Sequence, residues 1–169
     1  TTWRWPDVYS DVITASPLID DMGNIYLLTR GARMYKFNSY GLLLWTYRPS
    51  RSWDYRPALP NVDHRARHST PATPALMNGR IYGNTRSGFV FAVDMATGME
   101  HWVAEVALLI GRDSASIFAL NDTIITAVEP PLGNTLGNTR ICALSLDGKV
   151  QWNFRPRVPT HDWQGGGPG

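Results

Sequence analysis

The sequence predicts an all-β chain in which four-stranded antiparallel units follow one another. Three observations indicate this fold class. Apolar residues occur in short, often alternating runs bounded by Gly, Asn and Asp, which is typical of strands joined by tight turns. The same order of runs recurs three times within 169 residues, and each recurrence closes on the spacing Gly-x-x-x-Trp. No segment shows a clear helical period of 3.6 residues.

Each of the three repeats supplies four short strands. The first contains SPLIDDMGNIYLLT, RMYKFN and LLLWTY; the second contains TPALMNGRIYGNT, FVFAVD and MEHWVAEV; the third contains SIFALNDTIITAVE, TRICALSL and KVQWNF. A turn divides the first run of each repeat, as at 21–24, so that one run gives two strands. The repeats therefore predict three antiparallel meanders.

The last turn of each repeat carries a glycine four residues before a tryptophan. The pairs are Gly41 and Trp45, Gly98 and Trp102, and Gly148 and Trp152. A short hairpin loop commonly needs one residue with positive φ, which glycine adopts without a Cβ clash. The tryptophan then falls at a fixed place on the outermost strand, where it can fill the space between neighbouring sheets.

The spacing of the tryptophans is that of propeller blades. Tryptophans at 3, 45, 102 and 152 lie 42, 57 and 50 residues apart, and a four-stranded blade takes about 40 to 50 residues. We therefore predict an arc of about three blades of a β-propeller. Since about four to eight blades close a ring, we expect either further blades outside these 169 residues to complete the ring or a partner to cover the open faces.

The same repeats predict the organisation of the chain. We expect the end of a preceding blade and a linker at 1–15, because TWRWP resembles WTYRP and WNFRP. The remaining predicted segments are blade 1 at 16–47, an inserted basic and aromatic loop at 48–72, blade 2 at 73–106, a connection at 107–115, blade 3 at 116–156, and a tail or further blade at 157–169.

The spacing Ala92-x-Asp94-x-x-x-Gly98-x-x-x-Trp102 resembles the repeat of the pyrroloquinoline quinone (PQQ) propellers, in the quinoprotein alcohol dehydrogenase-like superfamily. In that family this segment is the tryptophan-docking motif. The resemblance covers roughly 16 to 156 and implies that Trp45, Trp102 and Trp152 each dock on the next blade near the small residue of the motif. Blade 3 keeps Ala143, whereas blade 1 carries Lys36 at this position.

The resemblance also bears on catalysis. In the dehydrogenases of this superfamily an Asn of a Gly-Asn loop binds Ca²⁺, and here Asn134 and Asn138 are the candidates for cofactor binding. The Asp that acts as general base follows a tryptophan in those enzymes, and Gln164 stands there in PTHDWQ. Gln cannot accept a proton as a base. We expect no catalytic or metal residues, and PQQ with calcium only if the chain is part of a dehydrogenase.

The insertion at 48–72 interleaves cationic and aromatic residues, which are favoured as anchors at protein interfaces. The candidate partner-binding residues are Arg51, Trp53, Tyr55, Arg56, Arg65 and Arg67. The alternative interpretation is a solvated loop folded over a blade edge. His64 and His68 are four residues apart, but the prolines around them predict a loop and not the helix that would make this spacing a metal site.

Composition excludes some classes of partner. The net charge of +2 is too small to indicate nucleic-acid binding, and no apolar run reaches the length of a membrane span. The single Cys142 excludes an internal disulfide. We expect a non-catalytic binding or assembly scaffold whose partner is a protein or the remaining blades; the alternative is a fragment of a PQQ- and Ca²⁺-dependent alcohol or sugar dehydrogenase. The resemblance implies an exported, periplasmic or organelle-luminal location.

Overall fold

The computed structural model describes residues 13, 15–29, 32–51, 73–85, 88–106, 116–128 and 140–154. Every regular element in these ranges is a strand. The strands are β1 (Leu18–Ile19), β2 (Ile25–Leu28), β3 (Met34–Phe37), β4 (Leu43–Tyr47), β5 (Ala75–Met77), β6 (Arg80–Asn84), β7 (Phe89–Asp94), β8 (Glu100–Glu105), β9 (Ile117–Leu120), β10 (Thr123–Val128), β11 (Arg140–Ser145) and β12 (Val150–Phe154).

These strands form three separate four-stranded sheets. In each sheet the neighbours in the chain are neighbours in space, and each pair is antiparallel. We call the sheets blade 1 (β1–β4), blade 2 (β5–β8) and blade 3 (β9–β12). The predicted fold class, an all-β arc of three four-stranded antiparallel blades, is confirmed, and the three described sheets do not close into a ring.

The turn between the third and fourth strands has the same construction in every blade. A polar residue opens it: Asn38, Asp94 or Ser145, each of which accepts backbone N–H groups on its side-chain oxygen. A glycine with φ between 74° and 85° closes it. A register shift then follows at the equivalent place on each ladder. Such a bulge increases the local twist of the outer strand.

The core lies between the sheets, because each blade has two apolar faces and a single sheet cannot bury either of them alone. Between blades 1 and 2, the buried residues include Tyr26, Leu28, Met34, Ile81 and Phe91. Between blades 2 and 3, they include Tyr82, Val90, Ile124, Cys142 and Leu144. The blades are therefore stabilised by their neighbours as much as by their own hydrogen-bonded ladders.

The segment boundaries predicted from the sequence stay a prediction, since the regions 1–12, 52–72, 107–115 and 155–169 lie outside the described residues. In the ranges that are described, no helix is long and apolar enough to cross a membrane.

Candidate functional site: the blade joints

Trp45 of blade 1 lies on the β7–β8 turn of blade 2. Its indole ring covers Gly98 so closely that a Cβ built on that glycine would lie 2.7 Å from the ring atom Cδ2. The indole Nε1–H donates to the carbonyl oxygen of Met95 across 3.2 Å. Gly98 also has φ +74°, where any side chain is strained. This joint therefore needs glycine both for its backbone conformation and for the ring above it.

Trp102 of blade 2 makes the same pair of contacts with the β11–β12 turn of blade 3. A Cβ on Gly148, which has φ +78°, would lie 2.7 Å from the ring atom Cε3. The indole Nε1–H donates to the carbonyl oxygen of Leu146 across 2.7 Å. Met95 and Leu146 each follow directly on the residue that opens their turn. The repeat in the sequence is thus matched by a repeat in the contacts between blades.

A cation also donates to each of these two carbonyl oxygens. Lys36 Nζ lies 2.8 Å from the oxygen of Met95, and Arg80 Nη1 lies 3.2 Å from the oxygen of Leu146. A carbonyl oxygen has two lone pairs and can accept both donors. The two cations come from different strands, β3 and β6, so the joints reach one arrangement through different residues. The buried Lys36 ammonium also lies 5.3 Å from the centroid of the Tyr26 ring.

The alanines of the motif lie within their own blades. Ala92 is opposite Trp102 on the β7–β8 ladder, and Ala143 is opposite Trp152 on the β11–β12 ladder. Lys36 takes the equivalent place opposite Trp45. The small side chain therefore makes room beside its own tryptophan. The surface under that ring belongs to a glycine of the following blade.

Gly41 closes the β3–β4 turn of blade 1 with φ +85° and donates its N–H to the carbonyl oxygen of Asn38 across 3.0 Å. It has the position in blade 1 that Gly98 and Gly148 have in the other blades. That the glycines, alanines and tryptophans of this motif hold successive blades together is our proposal for these residues.

A carboxylate adds a polar contact between blades 1 and 2, which we call the first joint; the contact between blades 2 and 3 is the second joint. Glu100, at the start of β8, accepts hydrogen bonds from the Tyr47 hydroxyl across 2.7 Å, from the Ser50 hydroxyl across 2.7 Å and from the Ser50 backbone N–H across 2.9 Å. Tyr47 ends β4, and Ser50 belongs to the first residues after it. The chain that leaves blade 1 toward the 48–72 insertion is therefore tied to the outer strand of blade 2.

We expect the stability of the chain to fall above about pH 10. Burial, followed by the hydrogen bond to Glu100 and the charge of that carboxylate, raises the pKa of Tyr47 above its ordinary value. As the pH rises, the Tyr47 hydroxyl therefore loses its proton in the unfolded chain before it does so in the folded chain. The contribution of Tyr47 to the free energy of unfolding is complete below the pKa of the unfolded state and is lost as the pH rises through the pKa of the folded state. Urea midpoints of the wild type and Tyr47→Phe at pH 8 and pH 10.5 test this; equal pH dependence in both would contradict it.

Cys142 lies in the core between blades 2 and 3, in contact with the cluster around Ile124 and Leu144. Burial raises the pKa of its thiol, and the side chain has no exposed surface. A thiolate is the reactive form, so both effects suppress modification.

We expect a thiol reagent at pH 8 to modify the folded chain only as fast as the second joint opens. The chain has one cysteine, so the whole signal reports on this joint. Reaction in denaturant gives the unprotected rate. Thr46→Cys in a Cys142→Ala background is the control, because Thr46 is exposed. Equal rates for the two cysteines would contradict the buried position of Cys142.

Blade 3 presents the same face as blades 1 and 2 without a described neighbour. Phe118, Ile125, Ala143 and Trp152 are consecutive cross-strand partners on this face. The side chains of Phe118 and Trp152 are 63% and 46% exposed, and that of Phe154 is 54% exposed. In blade 2 the corresponding face is closed, with Tyr82, Val90 and Ala92 buried. No described residue accepts a hydrogen bond from the Trp152 indole.

Most of the candidate residues of the 48–72 insertion lie outside the described residues: Trp53, Tyr55, Arg56, Arg65 and Arg67. Arg51 is described and exposed, and its guanidinium carbon lies 5.4 Å from the centroid of the Phe89 ring in blade 2. The stem of the insertion thus runs along blade 2, and the role of all six residues in partner binding is part of the proposal below.

The candidate cofactor residues Asn134 and Asn138, and the stretch from Pro159 to Gln164, also lie outside the described residues. Within the described ranges, no three His, Cys, Asp or Glu side chains are grouped so that they could hold a metal ion.

Comparison with solved structures agrees with this architecture. The chain superposes on BamB from Moraxella catarrhalis with a TM-score of 0.59 and 22% identity over 87% of its length. It superposes on a europium-containing methanol dehydrogenase with a TM-score of 0.65 and 19% identity over 88% of its length. The fold is that of a PQQ-like β-propeller. A quinohemoprotein alcohol dehydrogenase from Comamonas testosteroni gives a TM-score of 0.62 and 20% identity over 86% of the chain.

The chain spans 38% of the BamB chain, 27% of the methanol dehydrogenase and 21% of the quinohemoprotein. Its blades therefore correspond to part of a longer chain in each case. No family profile matches the sequence, and no curated protein matches it. At these identities the comparison establishes the fold, and the activity has to be argued from the residues.

Proposed function

We propose that this chain is a non-catalytic segment of a PQQ-like β-propeller and acts as a protein-binding or assembly scaffold. The observation that carries the proposal is the open face of blade 3. There Phe118, Trp152 and Phe154 are all about half exposed or more, whereas the matching face of blade 2 is buried under blade 3. A contiguous apolar face with aromatic side chains is typical of a surface that another protein element covers.

The two occupied joints define what fits on this face. In both, the next sheet contributes a turn with a positive-φ glycine under the indole and a backbone carbonyl oxygen for its Nε1–H. Trp152 stands opposite Ala143 as Trp102 stands opposite Ala92. The occupant is accordingly a further β-sheet with such a turn, either a following blade or a sheet of a partner protein. Its glycine leaves room for the flat ring of Trp152.

A photo-reactive benzoylphenylalanine at position 152 tests this in the full-length protein and its native assembly. We expect crosslinks to a β-hairpin whose turn contains glycine, and mass spectrometry of the crosslinked peptides identifies it. The matched control carries the same group at position 46, which lies on the outer strand of blade 1 and is exposed. The absence of crosslinks from position 152, or crosslinks to the same peptides as from position 46, would contradict the proposal.

The 48–72 insertion is proposed as a second contact with a protein partner, through Arg51, Trp53, Tyr55, Arg56, Arg65 and Arg67. Its support is the anchoring of the stem: Glu100 holds Ser50 and Tyr47, and Arg51 packs over Phe89. Trp53→Ala with Arg51→Ala should weaken the binding of partners that the benzoylphenylalanine experiment identifies. If every such partner is retained at unchanged affinity, the insertion is only a solvated loop.

The likeness to quinoprotein dehydrogenases of the same fold supports one alternative: that the chain is part of a PQQ- and Ca²⁺-dependent alcohol or sugar dehydrogenase, with Asn134 or Asn138 near the cation. Reconstitution of the full-length protein with PQQ and Ca²⁺ decides between them. Bound quinone absorbance and dye-linked oxidation of an alcohol would replace the scaffold proposal. Export, which the family resemblance implies, is tested by fractionating the cells that make the protein.

A further inference from the structure

We infer that the turn end of blades 1 and 2 is a second interaction surface, which binds a cationic, apolar protein segment. The surface consists of three turns: 20–24 between β1 and β2, 38–42 between β3 and β4, and 95–99 between β7 and β8. Four large apolar side chains project from these turns into solvent, those of Met22, Tyr40, Leu42 and Met99. We call this group the apolar tips. It is separate from the open face of blade 3.

The exposure of these side chains is unusual for their positions. Hairpin tips are normally occupied by Gly, Asn, Asp and Ser, whose backbone preferences and side-chain hydrogen bonds favour turns. Tyr40 is 90% exposed and Met22 is 84% exposed, so neither contributes to the packing of the blades. In blade 3 the matching turns carry Asn121, Asp122 and Asp147. The apolar tips are thus a local property of blades 1 and 2 and not a requirement of the repeat.

The three turns are adjacent in space. A Cβ built on Gly23 would lie 3.6 Å from the Cβ of Ser39, which places the first turn against the second. Trp45, on the strand that leaves the second turn, covers Gly98 in the third. Lys36 and Trp45 both donate to Met95 in that third turn. The tips therefore stand on one continuous base that the first joint holds together.

Three carboxylates lie beside the tips, and two basic side chains lie near them: Lys36, which donates to the oxygen of Met95, and His101, whose Nε2 lies 3.8 Å from Asp94 Oδ2. Asp20 accepts the backbone N–H of Met22 across 3.0 Å, and Asp21 is exposed next to it. Asp94 donates its backbone N–H to the carbonyl oxygen of Met99 across 2.9 Å. Burial acts to raise the pKa of Asp20, but hydrogen bonds from Asn24, Tyr26 and Met22 outweigh it and lower that pKa. Hydrogen bonds from Thr97 lower the pKa of Asp94.

The apolar tips and the carboxylates beside them together indicate which kind of partner binds this surface. Apolar side chains of the partner would contact Tyr40, Met22 and Leu42, since aromatic residues and methionine are enriched at interface cores. Lys or Arg of the partner would face the three carboxylates. A second copy of the chain that uses the same surface, as in a twofold-symmetric dimer, would oppose carboxylate with carboxylate. An anionic lipid surface would meet the same repulsion. A cationic protein segment satisfies both the apolar and the charged groups.

The test uses a synthetic 18-residue amphipathic peptide of Leu and Lys, titrated into the ¹⁵N-labelled 169-residue chain. We expect chemical-shift changes in the turns 20–24, 38–42 and 95–99. The same peptide with Glu in place of Lys should bind at least about tenfold more weakly, because three carboxylates oppose it. Met22→Ser with Tyr40→Ser should weaken binding of the Lys peptide by at least about tenfold, because two interface anchors are lost.

Leu44→Ser is the control, because it removes an exposed apolar side chain from the outer strand of blade 1, outside the three turns, and should leave the affinity unchanged. Three results would each overturn the inference: shift changes confined to blade 3, equal binding of both peptides, or no binding at about 1 mM peptide, the affinity of a weak contact. Binding to phosphatidylglycerol vesicles that the Met22→Ser, Tyr40→Ser variant loses would replace it with a membrane surface. Dimerisation that this variant abolishes would replace it with self-association. None of these outcomes affects the proposal for Trp152, which a different variant tests.

Discussion

Trp102→Ala is expected to destabilise the chain by about 3–5 kcal/mol, the range for removing a large aromatic side chain from a well-packed core. The substitution removes the ring that lies on Gly148 and the hydrogen bond to the carbonyl oxygen of Leu146. It also leaves Arg80 as the remaining described donor to that oxygen. Part of the loss is therefore the cavity between blades 2 and 3, and part is a partly buried acceptor with one donor fewer.

Trp152→Ala is the matched control for this substitution. Trp152 lies opposite Ala143 as Trp102 lies opposite Ala92, so both tryptophans have the same position in their sheets. Trp152 differs in being half exposed, without a described sheet over it. Its replacement should cost about 1 kcal/mol or less, as for surface sites. Urea denaturation of the two variants measures the difference, and equal losses would show that the contact with the next blade does not stabilise the chain.

The turns and strands could be predicted from the sequence because each depends on residues that are close together in the chain. The turn with Gly98 needs positive φ, and a polar residue such as Asp94 has to open it; both requirements fall within a few positions. The alternation of the strands is local in the same way. The repeat of Gly and Trp then revealed the number of blades, since it recurs at blade length. These features needed no knowledge of which sheets touch.

The chemistry of the joints could not be predicted, because it depends on backbone atoms of another blade. The acceptor of the Trp45 indole is the carbonyl oxygen of Met95, fifty positions away, and a main-chain acceptor leaves no mark on the side-chain sequence. Lys36 stood out in the sequence only as a departure from the alanine of the motif. The structure gives it a partner, the same oxygen of Met95. At the second joint the matching hydrogen bond comes from Arg80, on a different strand of its blade. Aligning the three repeats therefore does not place the two cations at equivalent positions.

The contact of Glu100 with Tyr47 and Ser50 was missed for a related reason. The position equivalent to Glu100 in blade 3 is Val150, and the position equivalent to Tyr47 in blade 2 is Ala104. The pair therefore occurs at one joint only and is invisible in a comparison of repeats. A covarying pair of polar residues in this place, against an apolar pair at the other joint, is the signal that could have indicated it. The contact of Glu100 with Tyr47 and Ser50 also makes the first joint chemically different from the second.

Gly98→Ala is expected to destabilise the chain by about 2–5 kcal/mol through two separable effects. Forcing a residue with a Cβ into the left-handed region costs about 1–2 kcal/mol, and φ at this position is +74°. The new Cβ would also lie 2.7 Å from the Trp45 ring, so the ring must move off the turn. Overpacking of this kind costs about 1–3 kcal/mol more, with weakening of the bond to Met95 in addition.

Gly79 separates these effects, because it has nearly the same φ, +70°, with no atom within 4 Å of a built Cβ. Gly79→Ala should therefore cost the backbone term alone, about 1–2 kcal/mol. In a Trp45→Ala background the ring is absent, so Gly98→Ala should cost no more than Gly79→Ala, and the double-mutant cycle should give a coupling of about 1–3 kcal/mol. Denaturation midpoints of the four variants measure it. If the cost of Gly98→Ala is the same with and without Trp45, the glycines serve only the turns, and the indole selects its neighbouring blade by its hydrogen bond alone.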